Sequence, residues 1–231
     1  MVTASQWREA QATESDFYLG MSLSLPNTLD VLYQNARKAQ HLSLLLKAKP
    51  KTAVEIGLGP FGVGVIGFLP EIPLRLGVDP EPPITLDFNV PLHDFIAERR
   101  RHVKYVVGVG ENIPLTSESM DLAICCNVVD HAFEPDKILR EIARILRPGG
   151  FLFFDVDTFS LLGLLKWHTW TKRRHKGELL VTAHTYRMFE PDVGRRLRLA
   201  GFEVVQYTGH NWLSLCVGHF RISKFLLRKR R

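Results

Sequence analysis

Ala53-Val54-Glu55-Ile56-Gly57-Leu58-Gly59-Pro60-Phe61-Gly62 is an apolar run that breaks into closely spaced glycines, and Leu76-Gly77-Val78-Asp79-Pro80 follows one strand later. The first stretch reads as a buried strand turning tightly around a ligand, because residues without a Cβ let the backbone approach a bound group closely. An acid that ends the next strand can accept hydrogen bonds from a ribose diol. Together the two stretches imply a site for a nucleoside-containing cofactor.

Working outward from them, strand and helix signals alternate. Strands are expected at 52–57, 73–79, 103–108, 121–126 and 151–156, and helices at 61–69, 91–101 and 135–146. A helix over 191–200 then leads through Gly201 into a strand at 202–207, and a last strand includes Trp212 to Val217. Short, nearly continuous apolar strands alternating with amphipathic helices indicate a parallel sheet buried on both faces. Residues 1–50 read as helical, with Leu29, Leu32, Ala36, Ala39, Leu42 and Leu46 at helical spacing and Pro50 ending the run. The predicted fold is α/β, Rossmann-like and doubly wound: a mostly parallel seven-stranded sheet with helices on both faces and an N-terminal helical extension. We read residues 1–231 as a single domain, with the extension at 1–50, a cofactor-binding core at 51–156, a substrate-side insertion at 157–189, and a C-terminal helix and strands with a basic tail at 190–231.

The 231 residues, 45% hydrophobic and 23% charged, suffice for a sizeable core. The longest uncharged stretch, Ile56 to Pro70, is too short to span a bilayer, and the polar N-terminus lacks a signal-peptide layout. A cytoplasmic placement is therefore expected. Cys125, Cys126 and Cys216 show no CxxC spacing, so no metal site and no disulfide framework is expected. The net charge of +6 is concentrated at Arg99-Arg100-Arg101, at Lys172 to Lys176 and at Arg228 to Arg231. These clusters read as solvated faces, or as a peripheral contact with an anionic membrane surface. Without interleaved aromatic residues, nucleic acid is not expected as a partner.

Glycine turns of this spacing occur in dehydrogenases, flavoproteins and methyltransferases alike. Glu55 discriminates among them, since an acid inside an apolar strand is costly to bury unless something binds it. A pyrophosphate beside that carboxylate would be repelled, whereas a cationic methionine moiety would be tolerated. This favours S-adenosylmethionine over a dinucleotide.

Further motifs follow in order: Gly110-Glu-Asn-Ile-Pro-Leu115, Met120-Asp-Leu122, Asn127-Val-Val-Asp-His131, Ile138 through Arg147-Pro-Gly-Gly150, and Ala200-Gly-Phe202. With the first two stretches they resemble class I S-adenosylmethionine-dependent methyltransferases, of the broad type that includes the ubiquinone and menaquinone methylases. Trp7 to Gln11 and the Asn127 to His131 loop are also similar to bacterial methyltransferases of surface-glycan assembly. The resemblance implies that Gly57 and Gly59 pack against the methionine and ribose parts of the cofactor and that Asp79 accepts the ribose hydroxyls. It departs at Phe61, where relatives often have glycine, and at Val109, where an adenine-binding acid would align. Adenine contacts are thus expected from Gly110, with Glu111 or Asn112 as substitutes.

Asn127, Asp130 and His131 follow the fourth strand, at the edge where an open α/β sheet binds its ligand. Asn127 is expected to contact the methionine portion, and His131 or Asp130 to face the acceptor and take its proton. His184, Tyr186 and Arg187 are candidate acceptor contacts. The implied activity is methyl transfer from S-adenosylmethionine to a small-molecule, lipid-like or sugar acceptor, at oxygen or carbon. A nicotinamide-dependent oxidoreductase and an inactive cofactor-binding scaffold are the alternatives.

Overall fold

The computed structural model describes residues 3–22, 24–46, 48–84, 90–165, 186–217 and 220–231. Helices α1 (Ala4–Ser22) and α2 (Leu25–Leu45) precede the sheet. There follow β1 (Thr52–Ile56), β2 (Leu74–Asp79), α3 (Val90–Arg101), β3 (Lys104–Val107), β4 (Met120–Cys126), α4 (Pro135–Ile145) and β5 (Leu146–Phe159). The described chain ends with β6 (Met188–Phe189), α5 (Glu190–Leu199), β7 (Phe202–Thr208), α6 (Trp212–Val217) and β8 (Phe220–Lys229).

The strands run in the order β3-β2-β1-β4-β5-β8-β7, with the two-residue β6 beside β5. Neighbours from β3 through β5 are parallel, while β8 is antiparallel to both β5 and β7. The order reverses between β1 and β4, which creates a crevice at their carboxyl ends. Strand alternation divides the core in two. Val54 and Ile56, Ala123 and Cys125, and Leu152 and Phe154 face α4 and α5, while Ala53, Leu122, Ile124 and Phe153 face Ala39 and Leu42 of α2. This is the doubly wound architecture the alternating pattern predicts, with the sheet covered on both faces.

Three elements differ from the sequence expectation. The helix expected at 61–69 is a looped turn with a single 3-10 turn at Ile66–Phe68. Left-handed backbone at Gly62 and Gly64 interrupts it, and the buried Glu55 carboxylate takes the Val65 and Ile66 N–H groups at 3.0 and 2.7 Å. The strand expected over Trp212 to Val217 is α6. Asn211 caps it, its side-chain oxygen accepting the Ser214 N–H at 2.7 Å, and the strand comes afterwards as β8. Finally, Arg147 to Gly150 lies within the long β5 as extra residues against β4, since Met120 pairs with Leu146 and Leu122 with Phe151.

Two of the basic clusters are largely spent on structure. Arg100 donates to the carbonyls of Phe61 and Ile84, and Arg99 stacks on Phe95 with 3.6 Å from guanidinium carbon to ring centroid. Arg228 and Lys229 belong to β8, where Lys229 donates to the Leu146 carbonyl at 2.7 Å. Residues 172–176 lie outside the described residues. Among the described residues, no helix is long and apolar enough to cross a membrane.

Gly64 is the tightest point of the glycine loop, since a Cβ there would sit 2.3 Å from Glu55 Oε2 at a φ of +54°. Gly64→Ala is expected to lower stability by roughly 1–3 kcal/mol from backbone strain alone, with the clash added. Gly59→Ala, whose Cβ meets nothing within 4 Å, should cost clearly less. Urea denaturation of the two variants checks the ranking.

Candidate functional site

A cavity of about 450 Å³ opens at the carboxyl ends of β1, β2 and β4, roofed by α1 and α2. Gly57, Gly59, Asp79, Gly110, Glu111, Asn127 and His131, all expected from sequence, line it. The backbone at Gly57 and Gly59 is left-handed, with φ of +75° and +70°. A Cβ on Gly57 would strike Val128 at 2.4 Å, whereas one on Gly59 would enter open space. Gly59 therefore presents bare backbone to the cavity.

Asp79 ends β2 on the cavity wall. Its carboxylate accepts the Leu58 N–H at 2.8 Å and the Glu81 N–H at 3.0 Å, and burial raises its pKa despite these bonds. A carboxylate has about four acceptor positions, and the amides of Leu58, Glu81 and Gly59 do not fill them all, which leaves room for a ligand hydroxyl. Glu55 also reaches the cavity, but the loop amides it holds are the partner its burial requires. Burial pushes its pKa up to about 7, against those two bonds and the attraction of Lys38.

The remaining expected residues divide. Glu111 accepts the N–H groups of Phe133 (2.9 Å) and Glu134 (3.3 Å), capping the start of α4 while touching the cavity. Asn112 is exposed and outside the lining, its amide closing a turn onto the Val109 carbonyl at 3.1 Å. Asp130 is buried behind the wall, and its carbonyl accepts the Tyr186 N–H at 2.9 Å. The Tyr186 hydroxyl donates to the Phe133 carbonyl at 3.0 Å, so this residue braces the 130–133 loop and does not line the cavity. Arg187 is likewise absent from the lining, and His184 lies outside the described residues.

Groups that the sequence reading passed over complete the wall. Trp7, Glu14 and Tyr18 come from α1 and Lys38 from α2. Trp7 donates to the His131 carbonyl at 3.2 Å and packs edge-on against Phe133. Glu14 sits 3.3 Å from His131 Nδ1 and accepts the Tyr18 hydroxyl at 2.6 Å, while Asp130 lies 3.7 Å from Nε2. Burial pulls the His131 pKa down, but the Glu14 bond and the Asp130 charge outweigh it and carry it up to about 9. The two carboxylates favour the protonated ring, and the Glu14 contact ties α1 to the core. The proton abstraction expected of His131 from sequence needs the neutral ring, which these neighbours disfavour.

A methyltransferase-domain family model matches residues 76–154. The mouse (Mus musculus) thiol S-methyltransferase TMT1B is 40% identical over 80 residues, which are 33% of this chain and 31% of that protein. The chain thus matches about a third of that curated relative's length. Among solved structures, a Burkholderia thailandensis 1,6-didemethyltoxoflavin-N1-methyltransferase with bound S-adenosylhomocysteine superposes with a TM-score of 0.62 at 18% identity, covering 100% of this chain and 92% of that one. The Streptomyces coelicolor geranyl diphosphate C-methyltransferase gives 0.61 at 12% identity, covering 88% and 83%.

The fold is that of a class I S-adenosylmethionine-dependent methyltransferase. The departure at Phe61 has a packing reason in this methyltransferase fold, because that ring is 2% exposed and fills a core between Leu32, Val63 and Ile96. Among the described residues, no group of three or more His, Cys, Asp or Glu is placed to hold a metal ion.

The His131 cation makes stability pH-dependent with a definite sign. Its folded pKa of about 9 exceeds the ordinary 6.5, so the stabilisation is fully present below pH ~6.5 and is lost as pH rises toward 9. At ~1.4 kcal/mol per unit the loss is on the order of 3 kcal/mol at most. Glu55, raised from 4.5 to about 7, contributes a loss of the same sign at lower pH. Denaturation profiles of the parent and His131→Gln proteins should therefore converge between pH 6.5 and 9.

Proposed function

We propose that this chain binds S-adenosylmethionine in the cavity and transfers its methyl group to a small-molecule acceptor. The observation that carries this reading is the pairing of open, left-handed backbone at Gly59 with the Asp79 carboxylate on one cavity wall. Bound there, the cofactor would supply a methyl group on a sulfonium, open to in-line displacement. Asp79 would hold the ribose hydroxyls, Gly57 and Gly59 the chain beyond them, and Gly110 the adenine, with Val109 and Ile138 as apolar neighbours.

The glycine loop argues against the nicotinamide alternative. A dinucleotide rests its pyrophosphate on the N-terminus of the helix after the first strand. Here no such helix forms, and the amides of Val65 and Ile66 are committed to Glu55. An anionic pyrophosphate would meet a carboxylate in place of free N–H groups.

The protein's own contribution to methyl transfer is alignment, which alone can be worth about 7–11 kcal/mol. Trp7, Tyr18 and Asn127 are wall side chains that would border the methionine end and an acceptor beside it. With His131 held as a cation, acceptors that are already nucleophilic at neutral pH fit best. Oxygen and carbon remain within this reading, and the thiol S-methyltransferase similarity adds sulfur. Lipid-like and sugar acceptors stay within the proposal, as does a peripheral membrane contact, now resting on Arg101, Arg230, Arg231 and residues 172–176.

Isothermal titration calorimetry should show binding of S-adenosylhomocysteine and none of NAD. Asp79→Asn should weaken the former by about 10- to 100-fold, the range set by charge-assisted bonds of roughly 1.5–3 kcal/mol. Equal affinity in parent and variant would refute the ribose assignment. Tritiated methyl transfer to a panel of small thiols, phenols and hydroxylated acceptors reads out the activity itself.

A further inference from the structure

The two ends of the sheet differ in charge. The carboxyl ends of the parallel strands carry the cavity, where Glu14, Asp30, Asp79, Glu81 and Glu111 stand on the wall. The opposite end, the foot of the sheet, gathers cations in strand order. Lys104 opens β3, Lys51 precedes β1, Arg147 lies at the start of β5, and Arg230 and Arg231 follow β8. Because β8 runs antiparallel to β5, its last residues return to this end, where Arg228 pairs with Phe151 and the Arg230 N–H donates to the Gly201 carbonyl at 2.9 Å. With about 4.8 Å between neighbouring strands, the row extends roughly 24 Å from β3 to β8.

Folding accounts for part of this charge. Asp121 pairs with Arg147, Glu98 with Arg101 and Glu118 with Lys229 at 3.5 Å, and Glu203 lies beside Arg228 in register. Helix dipoles favour cations in the last turns of α3 and α5, such as Arg101 and Arg198. Neither reason covers Lys51, Lys104, Arg230 and Arg231, which are exposed on or beside strands, where the net dipole is small, and which pair with no carboxylate among the described residues. The same end presents the two most exposed leucines among the described residues: Leu44 (79%) in the last turn of α2 on one face of the sheet, and Leu199 (76%) at the end of α5 on the other. Cations in a row with leucines on both sides fit a lipid surface, phosphates against the charges and the leucines entering the headgroup boundary. Among the described residues, no exposed aromatic ring stands in the row, as a nucleic acid would use for stacking.

We propose that the foot of the sheet docks on an anionic membrane surface through Lys51, Lys104, Arg230 and Arg231, with Leu44 and Leu199 entering the interface. The opposed charge of the two ends orients the molecule as well as attracting it. The acidic cavity end then faces water, and a bound molecule meets its acceptor from the aqueous side. The inference rests on the peripheral contact named above and not on the donor assignment, so loss of vesicle binding and loss of S-adenosylhomocysteine binding are separate failures.

Cosedimentation of the full chain with phosphatidylcholine vesicles, with and without phosphatidylglycerol, tests this. Binding should require the anionic lipid, and equal binding to both kinds of vesicle, or to neither, would overturn the proposal. Lys51→Gln, Lys104→Gln and Arg231→Gln combined should weaken partitioning about 100-fold, at roughly fivefold per cation. Arg8→Gln, Arg37→Gln and Arg140→Gln combined remove the same charge from exposed positions away from the foot and should cost far less. Equal losses from the two sets would show a response to net charge alone and overturn the assignment. A nitrobenzoxadiazole label at Leu199→Cys, in a Cys216→Ser background, should shift to the blue on anionic vesicles, whereas the same label on the native Cys216, exposed in α6 at the cavity end, should not. The reverse pattern would overturn the orientation. Tighter binding to a duplex oligonucleotide than to the anionic vesicles would assign the surface to nucleic acid instead.

Discussion

The site depends on one buried carboxylate. Glu55 sits under the glycine loop and accepts two consecutive amides, those of Val65 and Ile66, that a regular helix would have committed to its first turn. Charge-assisted bonds of this kind contribute roughly twice what neutral ones do. In return the loop must bring its backbone against the acid, and Gly64 is the residue that permits it. The consequence is a first crossover without a regular helix after β1, and a cavity floor made of open backbone and acid rather than a helix N-terminus.

Around this floor the N-terminal helices supply the charges that the sheet lacks. Lys38 neutralises Asp155 from α2, and Glu14 holds the His131 cation from α1. Both are partly or fully withdrawn from water, where removing one partner costs far more than the pair contributes net. The helical extension is thus part of the site as well as its cover.

The sheet was legible because its signals are local. β1, β2, β4 and their terminal Gly57, Gly59 and Asp79 announce themselves through backbone chemistry within a few residues. The helix expected at 61–69 failed because its apolar residues satisfy a helical pattern while Gly62 and Gly64 adopt left-handed backbone that no helix accepts. Lys38 and Glu14 were invisible for a different reason: their partners, Asp155 and His131, lie more than a hundred positions away, and only docking of the helices brings them together. Asp155 carried a readable signal, an acid in an apolar strand, the same that singled out Glu55.

β8 comes last among the strands, yet it lies between β5 and β7, pairing along Phe151 to Phe159 on one side and Phe202 to Thr208 on the other. Among the described residues, β7 has no other strand to pair with. Until β8 has threaded into its slot, β5 keeps a bare edge and β7 cannot join the sheet. Non-local pairing of this kind is slow to form and leaves unpaired edges exposed meanwhile. Sheet closure must therefore wait for residues 220–229, and until they pair, β5 and β7 both present bare edges to other chains.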